Sequence, residues 1–328
     1  MNKTANTEAT EIDVMETKPI ENNLAETGAL KIEKHVRLHA HVLQTVDENG
    51  MQYLEVDNLR CTAKIALQGA HVMHWQPKFL KDPVLWLSSN ARFVKGRSIR
   101  GGVPICWPWF GAHPTDSTFC PHGFARVTPW RVIDIDATPT GATRITLEIL
   151  ATEEAKRQLS YPYALTVTIT VGQRLRVDMS TTNKADHPFV ISEAFHTYLN
   201  ISDIANVKIT GMQDCVYADK VLNYQRDVEH NALKFAGEFD RVYIDHSSDC
   251  TVHDTGFNRI IHVSKSGSDT TVVWSPGADK AAGMSDMGEP DEWRKAICVE
   301  TTNALDNMVV INPGRTHVIS AEYSIETL

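Results

Sequence analysis

From Thr166 to Val171 the chain alternates threonine with Val, Ile and Val, which is the period of a strand that keeps one face in a core and the other near solvent. The same short period returns along most of the chain. From about Leu38 onward β-branched and aromatic residues recur in brief runs: YLEV, KIAL, VLWL, WRVIDI, RITLEIL, ALTVTITV, RLRVDM, RVYID, RIIHV, TTVVW, AICVE, MVVI and HVISAEY. Turn-forming clusters such as Glu48-Asn49-Gly50, Pro139-Thr140-Gly141 and Asn312-Pro313-Gly314-Arg315 separate them. Only Thr152 to Leu159 predicts a helix, because it strings good helix formers together before Tyr161-Pro162 stops it. A parallel sheet needs a crossover helix for each strand, and such helices are missing from the pattern. The expected fold is therefore all-β, a large antiparallel β-sandwich with few short helices.

The 328 residues, 42% of them hydrophobic, are enough for a large core. Residues 1–30 differ from the rest, with six acids against two bases, few aliphatic residues and no aromatic one. They are expected to be a disordered acidic tail ahead of a single domain at 31–328. The tail holds four of the nine net negative charges, so the remainder is only mildly acidic and says little about partners, while the overall charge disfavours a nucleic-acid surface, which would need clustered Lys and Arg. Six cysteines stand at 61, 106, 120, 215, 250 and 298 with no C-x-x-C pair, so reduced thiols are expected and not a zinc or disulfide framework. The N-terminus lacks the apolar segment of a signal peptide, and no apolar run approaches the roughly 18 residues of a membrane span. A cytoplasmic monomer without membrane or nucleic-acid partners is the expectation.

Ser98 to Trp130 breaks the strand rhythm. It contains Gly101-Gly102, five prolines, three tryptophans, Arg100, Arg126, His113 and His122. A long, stiff loop of this kind is usually functional. Its aromatic residues either plug the end of a sandwich or form a platform for the apolar face of a pyranose, with Arg100, His122 and Arg126 as hydrogen-bond donors. Two further places carry proton chemistry. His196 lies in a strand-like run between Phe195 and Tyr198 and titrates near neutrality, although a lone histidine there is more often a core residue. Glu300 follows the apolar run Ala296 to Val299, where a carboxylate held in a cleft is a candidate general base.

Taken together, Arg100-Gly101-Gly102-Val103-Pro104-Ile105-Cys106-Trp107-Pro108, His122-Gly123-Phe124-Ala125-Arg126, Phe195-His196-Thr197-Tyr198 and Val299-Glu300 resemble the motifs of the hexose-6-phosphate mutarotases. These are the glucose-6-phosphate 1-epimerase branch of the aldose 1-epimerase superfamily. Asp240-Arg241-Val242-Tyr243, Val273-Trp274-Ser275-Pro276 and Gly283-Met284-Ser285-Asp286 fall between the last two in the family's order, and the resemblance runs from about Val36 to Tyr323. It implies interconversion of α and β anomers of a hexose 6-phosphate, with Glu300 as base and His196 as protonated acid. It also implies Arg100 and Arg126 on the phosphate, His122 and Asp240 on sugar hydroxyls, Trp274 in the pocket wall and Gln68 as a lesser contact. No metal or organic cofactor is implied.

Three other readings compete. A noncatalytic carbohydrate-binding domain needs the same sandwich but no acid–base pair, and a general aldose 1-epimerase needs no phosphate site. A metal enzyme is suggested by His39-x-His41 and His71-x-x-His74, since residues two apart share a strand face, but a third ligand is not evident. If one loop arginine serves only to pin the loop, Asp116 and Asp134 are its expected partners.

Overall fold

A computed structural model describes residues 32–328, and the expected acidic tail at 1–30 lies outside the described residues. The paired strands are antiparallel throughout and form three larger sheets and a two-stranded one. The first sheet is a meander of five strands, Ile32–His39, Val42–Asp47, Gln52–Asp57, Cys61–Ala66 and His71–Pro77. The second has eight strands, with Leu175–Asn183 and Tyr163–Val171 near its middle and Thr316–Thr327 and Thr143–Ile149 beside them. The third, also of eight, is centred on Thr270–Ser275 and Ala296–Asn303. The expected all-β antiparallel sandwich is the observed fold.

The alternation in the sequence sets the register of the second sheet. Leu165, Val167, Ile169 and Val171 are buried while Thr166, Thr168 and Thr170 between them are half-buried. Val171, Ile169 and Val167 pair with Leu175, Val177 and Met179 of the next strand, so the apolar residues form a continuous face. A shift of one residue would turn that face to solvent.

The third sheet behaves otherwise. All six residues of Thr270–Ser275 and all eight of Ala296–Asn303 are buried, so these strands are covered on both faces. One face, carrying Val273 and Val299, joins the same hydrophobic core as Val167, Ile169 and Met179 of the second sheet. Thr197 crosses to that side as well, its hydroxyl 2.5 Å from that of Tyr323 on the second sheet. The other face lies under the loop that runs from Ser98 to Trp130.

That loop is built against the core. Trp107 and Trp130 are buried and Trp109 nearly so, with Phe124 packed edge-on to Trp107 at 5.5 Å. The tryptophans therefore plug the sandwich and do not form a sugar platform, because their faces are used up on Phe124, Tyr163, Phe119 and one another's neighbours. Gly102 has φ of 62°, and a Cβ there would sit 2.3 Å from the carbonyl oxygen of Val72. Only glycine lets the loop press this closely on the first sheet.

The predicted helix is present as Glu153–Gln158, capped by the Thr152 side chain accepting from Ala155 N. A second short helix, Gly277–Ala282, was not legible. It is one and a half turns long and opens after a proline, so it offers too little periodicity to read.

Candidate active site

His196 and Glu300 are cross-strand neighbours. Phe195 pairs with Thr301 and Tyr198 with Cys298, so the same antiparallel register sets His196 opposite Glu300. Directly opposed residues project on one face, which explains how two groups so far apart in sequence meet. His196 Nε2 is 3.4 Å from Glu300 Oε1. Glu300 is buried, and the His196 side chain is 12% exposed, enough to open one edge of the ring to a ligand.

The same register assembles the rest of the face. Asp240 pairs with Trp274, Trp274 with Cys298 and Cys298 with Tyr198, which puts all four side chains in one row beside Glu300. The His196 ring stacks on Tyr198 at 5.0 Å and meets Trp274 and His122 edge-on at 6.0 and 5.6 Å. Aromatic neighbours on three sides leave the imidazole little freedom.

Loop residues close the site from above. His122 holds a φ of 66°, a left-handed conformation that is costly for a residue with a side chain and that aims it into the site. Its Nδ1 accepts from Gly111 N at 3.3 Å, so the ring proton is on Nε2 and that nitrogen is a donor. Burial, then the charges of Arg126, Lys220 and Arg100, push its pKa down to about 3, which keeps it a neutral donor. Arg100 donates to Tyr198 OH at 2.8 Å and to Asp286 Oδ2 at 3.2 Å. Arg126 donates to the carbonyl of Pro121 at 2.7 Å and makes no ion pair among the described residues. The two arginines therefore differ: the charge of Arg100 already has a carboxylate beside it, and that of Arg126 does not. Neither Asp116 nor Asp134 is the partner of either arginine; the carboxylate that pins Arg100 comes from Asp286, 186 residues away.

Burial decides the protonation of the central pair. It raises the Glu300 carboxyl well above the usual carboxylate range, with Lys220 and Arg126 opposing and Asp240 assisting. It also holds the His196 imidazole well below its ordinary value, and His122, Arg126 and Arg100 act in the same sense. Burial thus favours the neutral form of each group, the carboxylic acid for Glu300 and the neutral imidazole for His196. The resemblance implies a protonated His196 during turnover, a form that burial works against.

Gln68 is not directed at this face. Its amide donates to the Arg97 carbonyl at 2.8 Å and its oxygen accepts from Gly96 N at 2.8 Å, so it secures the turn at 94–97. His71 bonds the Gly101 carbonyl and His74 the Thr62 hydroxyl, so neither converges on a common ligand with the other. Two contributors had no role in the sequence reading. Lys220 reaches Asp240 Oδ2 at 3.0 Å and lies over the Phe110 ring, and Asp286 anchors Arg100. Both sit at turn-like ends of elements where no periodicity marks them; only the register of Asp240 with its neighbours brings Lys220 in.

The aldose 1-epimerase family profile matches residues 52–324. A protein of Escherichia coli strain K12 described as "Putative glucose-6-phosphate 1-epimerase" is 34% identical over 270 residues, which are 82% of this chain and 88% of that one. A protein of the same description from Cenchrus ciliaris is 31% identical over 264 residues, 77% of this chain and 78% of its own. Among solved structures, a "putative mutarotase (YeaD)" of Salmonella typhimurium superposes with a TM-score of 0.83 at 29% identity, covering 91% of this chain and 97% of that one. With a profile match over most of its length and a relative 34% identical over 82% of it, the chain belongs to the aldose 1-epimerase family.

Proposed function

We propose that the protein interconverts the α and β anomers of a hexose 6-phosphate, glucose 6-phosphate first among them, with His196 and Glu300 as its acid and base. The observation that carries this reading is the buried His196–Glu300 pair at 3.4 Å, set in a wall of hydrogen-bonding groups. Ring opening requires that the anomeric hydroxyl lose a proton while the ring oxygen gains one. The C1–O5 bond then breaks as C1=O1 forms, the aldehyde rotates about C1–C2, and the reverse transfers reclose the ring. One mobile proton shared by two groups supports this cycle without net change in the enzyme.

Glu300 acts as base only after its proton has moved to His196. A phosphate dianion beside Arg126 and Arg100 offsets the positive field that holds the imidazole neutral, so substrate entry favours that transfer. This links the phosphate to the chemistry as well as to binding. In this reading His122 Nε2 and the Asp240 carboxylate, steadied by Lys220, hold sugar hydroxyls, and Trp274 lines the pocket. The relatives described as glucose-6-phosphate 1-epimerases support the phosphorylated substrate.

Both large sheets share one core, which supports a single domain over 31–328. The six cysteines are unpaired, in keeping with a reducing, cytoplasmic setting. No helix among the described residues is long and apolar enough to cross a membrane. The test is saturation-transfer NMR of anomer exchange on glucose 6-phosphate and on free glucose. Faster exchange on the phosphate ester is expected; equal rates on both would reassign the protein as a general aldose 1-epimerase, and exchange on neither would leave a sugar-binding domain.

A further inference from the structure

The row that carries the acid–base pair also carries a thiol. Cys298 precedes Glu300 by two residues on the strand Ala296–Asn303, so both side chains project on the same face. One donor atom each from His196, Cys298 and Glu300 lie within 4.8 Å of one another. Cys298 and Glu300 are both buried. His196 Nδ1 and Glu300 Oε2 are also enclosed, and neither has a hydrogen-bond partner among the described residues.

We propose that this triad is a binding site for a thiophilic divalent cation, Zn²⁺ or Cd²⁺, and that the ion inhibits the enzyme by occupying its acid and base. Zinc bonds to imidazole nitrogen and carboxylate oxygen are about 2.0–2.2 Å, which sets a nitrogen–oxygen edge of roughly 3.4 Å in a tetrahedron. The observed His196–Glu300 separation is 3.4 Å. It is too long for a strong charge-assisted hydrogen bond, which would be about 2.7–2.9 Å, but it fits two ligands of a common ion. Rotation of the Cys298 side chain towards the pair would complete three ligands, leaving a fourth position for water or a sugar hydroxyl.

Charge supports a soft cation over a hard one. Binding expels one proton from the thiol and one from the Glu300 carboxyl, leaving a neutral assembly of a dication with a thiolate, a carboxylate and a neutral imidazole. Arg126 and Lys220 nearby oppose a bare dication, so an ion that forms weak bonds to sulfur, such as Mg²⁺, gains too little to enter. The inhibitory part of this inference rests on the acid–base roles given to His196 and Glu300; the binding part does not.

The experiment uses the full chain in a Cys120→Ser background, since Cys120 is exposed and would bind metal on its own. Cd²⁺ titration should develop an ultraviolet thiolate-to-cadmium charge-transfer band saturating at one equivalent, and Cys298→Ala should abolish it. In parallel, Cd²⁺ and Zn²⁺ should inhibit anomer exchange in competition with the sugar phosphate, and Mg²⁺ should not. Cys298→Ala should raise the half-inhibitory metal concentration at least tenfold, with inhibition expressed as a fraction of that variant's own metal-free rate, and Cys298→Ser is the alternative if the alanine variant is unstable. A band unchanged by both substitutions would overturn the site. A band lost together with unchanged metal inhibition would overturn the inhibitory role and leave the binding intact. If the chain proves to have no epimerase activity, the band alone still decides whether the triad binds metal.

Discussion

The two eight-stranded sheets use burial for different ends. In the second sheet Tyr163–Val171 alternates buried apolar residues with half-buried threonines, Leu175–Met179 alternates them with Arg176 and Asp178, and the inward residues of both strands from Leu165 to Met179 are aliphatic or methionine. In the third sheet Ala296–Asn303 is buried on both faces, and the face away from the core holds Cys298, Glu300 and Thr302. The first arrangement stabilises. The second places polar groups where water is scarce, which costs stability but shifts their proton affinities towards one another, and the pair can then exchange a proton with a substrate. Stability and chemistry are thus assigned to opposite sheets of one sandwich.

Substitutions that separate the two sheets test that assignment. Ile169→Ala, in the middle of the second sheet's apolar face, should destabilise the protein by about 2–5 kcal/mol and leave the exchange rate per folded molecule unchanged. Denaturant melts combined with exchange assays on the same samples measure both. A loss of specific activity in the folded fraction would show that the second sheet shapes the site.

On the third sheet's side the two arginines should part company. Arg126→Ala should lower kcat/KM for glucose 6-phosphate roughly ten- to hundredfold more than for free glucose, because its guanidinium has no competing carboxylate. Arg100→Ala should show the smaller discrimination, since Asp286 already meets that charge. Equal losses on both sugars would mean that the arginines organise the loop and do not read phosphate.

The smallest effect should come from Glu193 and His317, which join the two sheets at 2.7 Å. Burial lowers the His317 pKa, but the hydrogen bond and charge of Glu193 outweigh it and leave the net shift upward. A histidine with a raised folded-state pKa contributes stability that is full below its unfolded value of about 6.5 and is lost as pH rises through the folded value. Thermal melts should therefore show a small decline in Tm from pH 6 to pH 8 that His317→Gln removes. An unchanged decline in that variant would assign the pH dependence to other groups.

How much of this was legible in sequence follows the same division. The alternation at Thr166 to Val171 predicts its strand, register and inward face, because sheet stability depends on period two. His196 and Glu300 were legible as chemistry and through family resemblance, but the direction in which their proton affinities shift was not, since it depends on burial from both faces. The tryptophans of the loop gave an ambiguous signal, because a plug and a platform use the same residues. Lys220 was not legible, and Asp286 appeared only within the motif Gly283-Met284-Ser285-Asp286 with no role of its own: each is one charged side chain in an irregular segment, and its role comes from the partner that folding supplies, Asp240 for one and Arg100 for the other.

The most direct test of the central claim, that the buried pair serves chemistry and not stability, is Glu300→Gln measured for anomer exchange and for melting in the same preparation. Glutamine matches the shape of glutamate and the uncharged state that burial favours for Glu300, but it can neither take nor return the proton. Exchange on glucose 6-phosphate should fall roughly 10²–10⁴-fold, and His196→Ala should fall comparably, while the Tm of Glu300→Gln stays at or above that of the parent protein. Retained exchange in Glu300→Gln, or a Tm that collapses with it, would contradict the account.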